Sequence, residues 1–181
     1  LLPVPWDATV SYGEGAAKGP FAIWKASQQL DLCDEWRPGF WKAGYALGAL
    51  SGNWEAKNQE CRKQVKALQS GDTSVNRSTI DQSCGELNQS VYEAAHHHLA
   101  KGQFVGLVGG DHSVILGYLR ALRAYQQETI GVLQFDAHCD LRHAYEGLRY
   151  SHASIMYNAL QEGLVDPLVS IGIRDFAEAE E

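Results

Sequence analysis

Long hydrophobic runs are missing from this 181-residue sequence. The apolar stretches, such as residues 104–108, stop well short of the roughly 20 residues that a membrane span requires, and no charged-then-apolar leader opens the chain. A soluble protein is expected. Also absent is any gathering of positive charge: the 15 lysines and arginines are scattered among 22 acidic residues, for a net charge of −7. No basic stripe can track phosphates, so nucleic acid is not an expected partner. Cysteine is sparse, and Cys33, Cys61, Cys84 and Cys139 show neither a Cys-x-x-Cys pair nor the compact spacing that staples small secreted domains. A reducing cytoplasm is the expected compartment. No internal repeat or low-complexity linker divides the chain, and 45% hydrophobic residues suffice for a sizeable core, so one domain over residues 1–181 is expected. There is no methionine at position 1, and residues 1–4 read as the end of a strand, which implies further sequence upstream.

What is present is alternation. Residues 1–4 run as a strand into Pro5-Trp6-Asp7, and Gly13, Gly15, Gly19 and Pro20 punctuate a loop before a helix over 21–30. Residues 31–51, rich in Trp, Tyr and Gly without a clear period, read as a strand plus a long loop. Helices are predicted over 54–69 and 78–101, the second ended by Gly102 as its C-cap. From there, apolar runs at 104–108, 130–135 and 168–173 alternate with helical spacing over 113–126 and 155–160. Such alternation predicts a three-layer α/β/α fold around a mainly parallel sheet covered on both faces. Ligands bind such sheets beyond the carboxyl ends of the strands, where residues 109–113 and 136–140 both fall.

Phe135-Asp136-Ala137-His138-Cys139-Asp140 directly follows an apolar run. Residues two apart in an extended chain share a side, so Asp136, His138 and Asp140 are expected to leave one strand end together, with Cys139 pointing away. Carboxylate and imidazole at that density suit a borderline-hard divalent ion such as manganese, whereas thiolate-rich sets select zinc. Gly109-Gly110-Asp111-His112-Ser113 lies at the next strand end upstream, where paired glycines allow a sharp turn and let His112 reach its neighbour's site. A lone Asp-x-His is ordinarily a hydrogen-bonded surface pair; two such clusters at neighbouring strand ends favour a metal. His96, His97 and His98 point about 100° apart along a helix and cannot converge on one ion. The five Trp residues read as packing.

These two clusters resemble the upstream signatures of the ureohydrolase family, which includes arginases, agmatinases and formimidoylglutamases. Pro5-Trp6-Asp7 with Gly19-Pro20, Ser151-His152-Ala153-Ser154 and Ile171-Gly172-Ile173-Arg174-Asp175 extend the resemblance over nearly the whole chain, loosely over 32–80. The resemblance implies an arginase-like fold, a homo-oligomer and two Mn2+ ions, with another divalent ion such as nickel as a substitute. It implies that His112, Asp136 and Asp140 hold one ion, that His138 belongs to the second, and that Asp136 bridges them. The family's later Ser-x-Asp-x-Asp motif and the glutamate that meets the guanidinium are absent before Glu181, and Asp175, Glu178, Glu180 and Glu181 lack the spacing to replace them. A catalytic domain truncated at its C-terminal end is therefore expected.

The implied reaction is hydrolysis of a linear amidine. Paired ions lower the pKa of a shared water, hydroxide adds to the guanidinium or formimino carbon, and the amine leaves once protonated. His152 stands where the family has a proton-shuttling histidine, so His152 and Asp136 are the expected catalytic residues; the alternative for His152 is a solvent-exposed position at a helix start, with Ser151 or Ser154 as caps. The loop over 141–150 is expected to choose the substrate. Arg142 or Arg149 could fork onto a substrate carboxylate, and His143 faces either solvent or substrate. Asp140-Leu141-Arg142 is similar to formimidoylglutamases, Ser151-His152-Ala153-Ser154 is closer to agmatinases, and the Asn-rich run of arginases is absent. Agmatinase-like release of urea and an amine is thus the first expectation, and a formimidoylglutamase or guanidino-acid hydrolase the second. A non-catalytic metal-binding homologue is the reading of another class. A one-zinc hydrolase resembling histone deacetylases would need a different ligand order, and Gly-Gly-Asp-His-Ser argues against it.

Overall fold

The computed structural model describes residues 1–181. Strand β1 (Leu2–Val4) pairs in parallel with β2 (Leu107–Gly109), and β3 (Ile130–Phe135) pairs in parallel with β4 (Val165–Ile171). Helices α1 (Gly19–Ser27), α2 (Trp54–Gln69) and α3 (Arg77–Leu99) lie between β1 and β2; α4 (Ile115–Gln126) joins β2 to β3, and α5 (Ile155–Gln161) joins β3 to β4. The fold is the parallel α/β alternation that the sequence predicts.

Local chemistry explains the helix bounds. Asn53 Oδ1 accepts from the Ala56 N–H at the start of α2, and Asn76 Oδ1 accepts from the Ser78 N–H at the start of α3, pairing donors that a first turn leaves free. Along α3, Ile80, Cys84, Leu87, Val91, Ala95 and Leu99 recur every three or four residues and are all buried, which makes one apolar stripe. Gly102, at φ 70°, ends the segment by donating its N–H to Leu99 O at 2.8 Å.

The stripes of α2 and α3 pack on β1 around Trp6, Val65, Ile80, Leu87 and Val91. A second core of Leu116, Leu119, Ile155, Met156, Ala159, Leu164 and Val165 joins α4 and α5 to the start of β4. Each large side chain buried this way contributes about 1.5–3 kcal/mol, so the two clusters dominate what holds the strand ends in place. Close approach of α3 and α4 depends on Gly117, where a Cβ would lie 2.1 Å from Asn88 O.

Residues 31–51 depart from the expectation of a strand: they contain only a 3-10 turn over Phe40–Ala43. Apart from Leu50, which packs against the first core, their large apolar side chains stay outside it, with Leu32, Trp36 and Tyr45 exposed, and Gly39 and Gly44 take positive φ values of 79° and 75° that break an extended run. The sheet also differs from the expectation. Its strands form two separate ladders, and the β3–β4 ladder is covered on one face only. Leu133 and Phe135 pair with Val169 and Ile171 on the other face, where all four are exposed. No helix is long and apolar enough to cross a membrane, and all four cysteines are free.

Candidate metal centre

The carboxyl ends of all four strands carry the polar segments. After β2 the chain turns tightly against the segment that follows β1: Asp111 N–H donates to Trp6 O at 2.8 Å, and a Cβ at Gly110 would lie 2.0 Å from that same oxygen. Only glycine fits there. The Asp111 carboxylate then caps the 3-10 turn His112–Val114 by accepting from the Ser113 N–H at 3.0 Å, so His112 starts the turn.

After β3, Asp136 N–H donates to Ile171 O at 3.1 Å and extends the ladder by one bond. Asp140 does not follow by strand alternation. Its φ is 56°, and its carbonyl accepts from the Met156 and Tyr157 N–H groups in the first turn of α5. That turn, rather than an extended spacing of two, aims the buried Asp140 side chain at His112. Buried Gln134 steadies the segment by donating to His138 O at 3.2 Å and accepting from Ser170 Oγ at 2.9 Å.

The resulting geometry is compact. His112 Nδ1 stands 2.5 Å from Asp140 Oδ2 and 3.2 Å from Asp136 Oδ2, and one ligand atom from each of the three residues lies within 4.8 Å of the other two. His138 stands beside this trio with its side chain 58% exposed, its Nδ1 3.6 Å from Asp136 Oδ1 and its Nε2 3.8 Å from Asp175 Oδ2. Asp136 thus turns one oxygen to His112 and the other to His138.

Electrostatics follow from this crowding. Burial opposes protonation of His112, but the Asp140 hydrogen bond and the charges of Asp140, Asp136 and Asp111 outweigh it and raise its pKa above the ordinary histidine value. Burial pushes the Asp136 carboxyl up, yet the backbone N–H of His138 and the nearby His112 outweigh that and hold it below the ordinary value. An imidazole and two carboxylates suit a borderline-hard divalent ion, so the donor set fits the expected metal.

His152 lies outside the trio. Ser151 caps its turn by accepting from Ala153 N–H at 3.1 Å, and the His152 backbone N–H donates to Thr9 Oγ1 at 3.1 Å. Its Nδ1 is 3.5 Å from Thr9 Oγ1, its Nε2 is 3.4 Å from Ser11 Oγ, and the Tyr145 ring meets it edge-on at 5.7 Å. Thr9 and Ser11 escape a motif search; the signal available is their spacing of two in the segment after Asp7. Asp7 itself is structural: its carboxylate accepts from Gly15 N–H, Ala17 N–H and Asn58 Nδ2 and fixes that segment.

The loop over 141–150 is a tight hairpin rather than an open flap. Tyr145 and Leu148 exchange backbone hydrogen bonds, and Glu146 and Gly147 between them take positive φ values of 55° and 78°. Arg142 Nε donates to Glu180 Oε2 at 3.2 Å and its guanidinium lies 5.0 Å from the centre of the Tyr145 ring. His143 and Arg149 border a hollow of about 260 Å³ with Tyr157, Asn158 and Gln161, which shares no residue with the trio. A hollow of about 1150 Å³ between α1 and α2 also contains none of the trio. The trio remains the candidate centre, because volume without converging ligands does no chemistry.

The family model described as Arginase family matches residues 1–181. The chain is 30% identical over 180 residues to the N(1)-aminopropylagmatine ureohydrolase of Synechocystis sp., covering 99% of this chain and 52% of that protein. It is 34% identical over 179 residues to the N(1)-aminopropylagmatine ureohydrolase of Thermus thermophilus, covering 96% and 50%. Its fold matches the crystal structure of agmatine ureohydrolase of Thermoplasma volcanium with a TM-score of 0.73 at 24% identity, over 98% of this chain and 50% of that one. The chain therefore spans about half the length of the curated relatives it matches.

Proposed function

Because the chain belongs to the arginase family, we propose that it forms the metal-holding part of a hydrolase that cleaves a linear, agmatine-like guanidino compound into urea and an amine. The observation that carries this reading is the orientation of Asp136, whose two oxygens face His112 and His138, so that one carboxylate would serve ions held by either histidine. His112, Asp136 and Asp140 would hold one manganese ion, and His138 with Asp136 would take part in holding the second. When bound, the pair activates water as a nucleophile at neutral pH. The chain's own residues supply the rest. Asp136 and Asp140 orient the centre, and His152, held by Thr9 and Ser11, supplies the proton that the leaving amine needs.

The substrate's far end would meet the 141–150 hairpin. Arg142 already has Glu180 as its carboxylate partner, so a substrate carboxylate would have to displace Glu180, whereas an amine tail would not. That favours an amine-tailed guanidine, the class that the relatives' names describe. A homo-oligomer in a reducing cytoplasm, its cysteines free, completes the proposal.

The test is a panel assay on the full-length protein loaded with Mn2+. Urea is expected from agmatine or aminopropylagmatine, in preference to arginine and 4-guanidinobutyrate. Formamide from formiminoglutamate alone would move the substrate class, and no product from any of them would leave a metal-binding homologue.

A further inference from the structure

Two hydroxyl groups reach the His152 ring nitrogens and a third lies one hydrogen bond further out, and none belongs to the trio of His112, Asp136 and Asp140. Thr9 Oγ1 lies 3.5 Å from Nδ1, Ser11 Oγ lies 3.4 Å from Nε2, and Ser11 Oγ donates to Tyr145 Oη at 3.3 Å. Both ring nitrogens therefore already have partners within the chain. A fourth group sets the direction of the chain of bonds: Thr9 Oγ1 donates its one hydrogen to buried Asp111 Oδ2 at 3.3 Å. The Thr9 oxygen can then only accept, and it does so from the His152 backbone N–H at 3.1 Å. Facing an acceptor, Nδ1 must carry a proton whatever the charge of the ring. Nε2 is thus the nitrogen that gains and loses a proton, and its partner is Ser11.

We propose that Ser11 and Tyr145 form a two-hydroxyl proton relay serving Nε2 of His152, with Thr9 and Asp111 fixing the ring's other edge. The proposal rests on the reading of His152 as the proton source for the leaving amine. In the charged ring, Nε2–H donates to Ser11, and Ser11 donates to Tyr145. The Tyr145 O–H bond breaks as its proton joins the amine, the Ser11 proton re-forms the Tyr145 hydroxyl, and the Nε2 proton re-forms the Ser11 hydroxyl. One proton has reached the amine, His152 has become neutral, and both hydroxyls are whole but reversed, Tyr145 now donating to Ser11 and Ser11 to Nε2. The arrangement is self-consistent in both states, and only these two hydroxyls turn between them. Tyr145 sits in the hairpin that follows the metal-binding segment, on the side where the substrate's tail is proposed to lie.

The full-length Mn2+-loaded protein tests this with Ser11→Ala, Tyr145→Phe, their double variant and His152→Ala, assayed for urea release. Tyr145→Phe keeps the ring edge against His152, so a change reports the hydroxyl rather than the fold. Each relay variant is expected to lower kcat about tenfold, less than the roughly hundredfold or more that losing an acid–base group itself costs, because His152 remains, with KM within about twofold. The double variant is expected to be no worse than either single one, and added imidazole is expected to restore part of the rate in all of them. A slow His152→Ala beside fully active relay variants overturns the relay and leaves the reading of His152 standing. A fully active His152→Ala removes that reading, and the relay with it. Independently of any rate, nitrogen NMR of the histidine-labelled metal-free protein is expected to find the neutral His152 ring protonated at Nδ1; protonation at Nε2 overturns the relay.

Discussion

The imidazole of His112 and the carboxylate of Asp140 meet at 2.5 Å across 28 residues of sequence. With Asp136 Oδ2 3.2 Å from the same nitrogen, a proton on His112 is shared between two carboxylates, where a cation would otherwise be drawn. Asp140 reaches this position through a left-handed turn tied to α5, so the contact is imposed by the second core as much as by β3.

The raised His112 pKa gives the first prediction, and its sign differs between metal binding and stability. A metal ion must displace the proton, so affinity should fall as pH falls through the raised value. Calorimetric titration with Mn2+ from about pH 8 to about pH 5.5 is expected to show about a tenfold weakening per pH unit below the transition, the signature of one proton released. A flat profile would remove His112 from the ligand set. In the metal-free protein the protonated His112 stabilises the fold fully below the unfolded histidine value, and that contribution is lost as pH rises through the raised folded value.

Asp136→Ala and Asp140→Ala should separate activity from folding. Removing a partner one step beyond the ligands already costs metal sites about 10- to 100-fold, so removing a ligand is expected to lower kcat/KM at least about a hundredfold in the full-length protein. Each change removes one carboxylate from beside His112, so it should cost about 1 kcal/mol where His112 is protonated, a Tm shift of about 2–4 °C, and less at higher pH, where His112 is neutral. Near wild-type turnover by Asp136→Ala would contradict its place between His112 and His138.

Glycine substitutions test the turn that delivers His112. Gly110→Ala places a methyl 2.0 Å from a backbone oxygen that cannot yield, so its cost should reach or exceed the top of the roughly 1–3 kcal/mol range for overpacking. Gly131→Ala meets only Pro167 Cδ at 3.7 Å and should be neutral or stabilising by up to about 1 kcal/mol. Urea unfolding midpoints of the two variants compare them directly. Equal midpoints would show that the turn after β2 relaxes around a side chain.

The contrast between these glycines also marks what was legible in the sequence. The charged run over 54–69 and the apolar run over 130–135 are legible with the bounds that α2 and β3 have in the structure. The Gly109-Gly110 pair announced a close approach but not its partner, since Trp6 lies about a hundred residues upstream and only packing of β1 on β2 brings it there. Residues 31–51 misled for the opposite reason: their aromatic content suggested a strand, but β propensity reflects packing, and of their large side chains only Leu50 packs on the core. At the candidate centre, residue types and spacing singled out the three residues that converge, His112, Asp136 and Asp140, whereas the left-handed Asp140, the Glu180 partner of Arg142 and the hydroxyls around His152 arise from contacts between distant segments.

The pairing of Arg142 with Glu180 sharpens the last prediction, which concerns the substrate's tail. A free arginine would repel an amine tail and attract a carboxylate, but the Arg142 charge is already offset by Glu180. Arg142→Ala is therefore expected to change KM for agmatine by less than about threefold, because a guanidinium paired with the buried Glu180 carboxylate presents little free charge to the tail. If the hairpin instead selects a guanidino acid, the same change removes a bidentate contact worth about 1.5–3 kcal/mol and raises KM for 4-guanidinobutyrate about ten- to a hundredfold, with kcat less affected. Arg149→Ala serves as the companion, because Arg149 borders the hollow beside His143 and stacks 5.1 Å from the Tyr150 ring rather than pairing with an acid. Steady-state kinetics of both variants on both substrates distinguish the cases. A large rise in KM for the guanidino acid with Arg142→Ala would show that Glu180 gives way to the substrate, and the amine-tailed reading would fall.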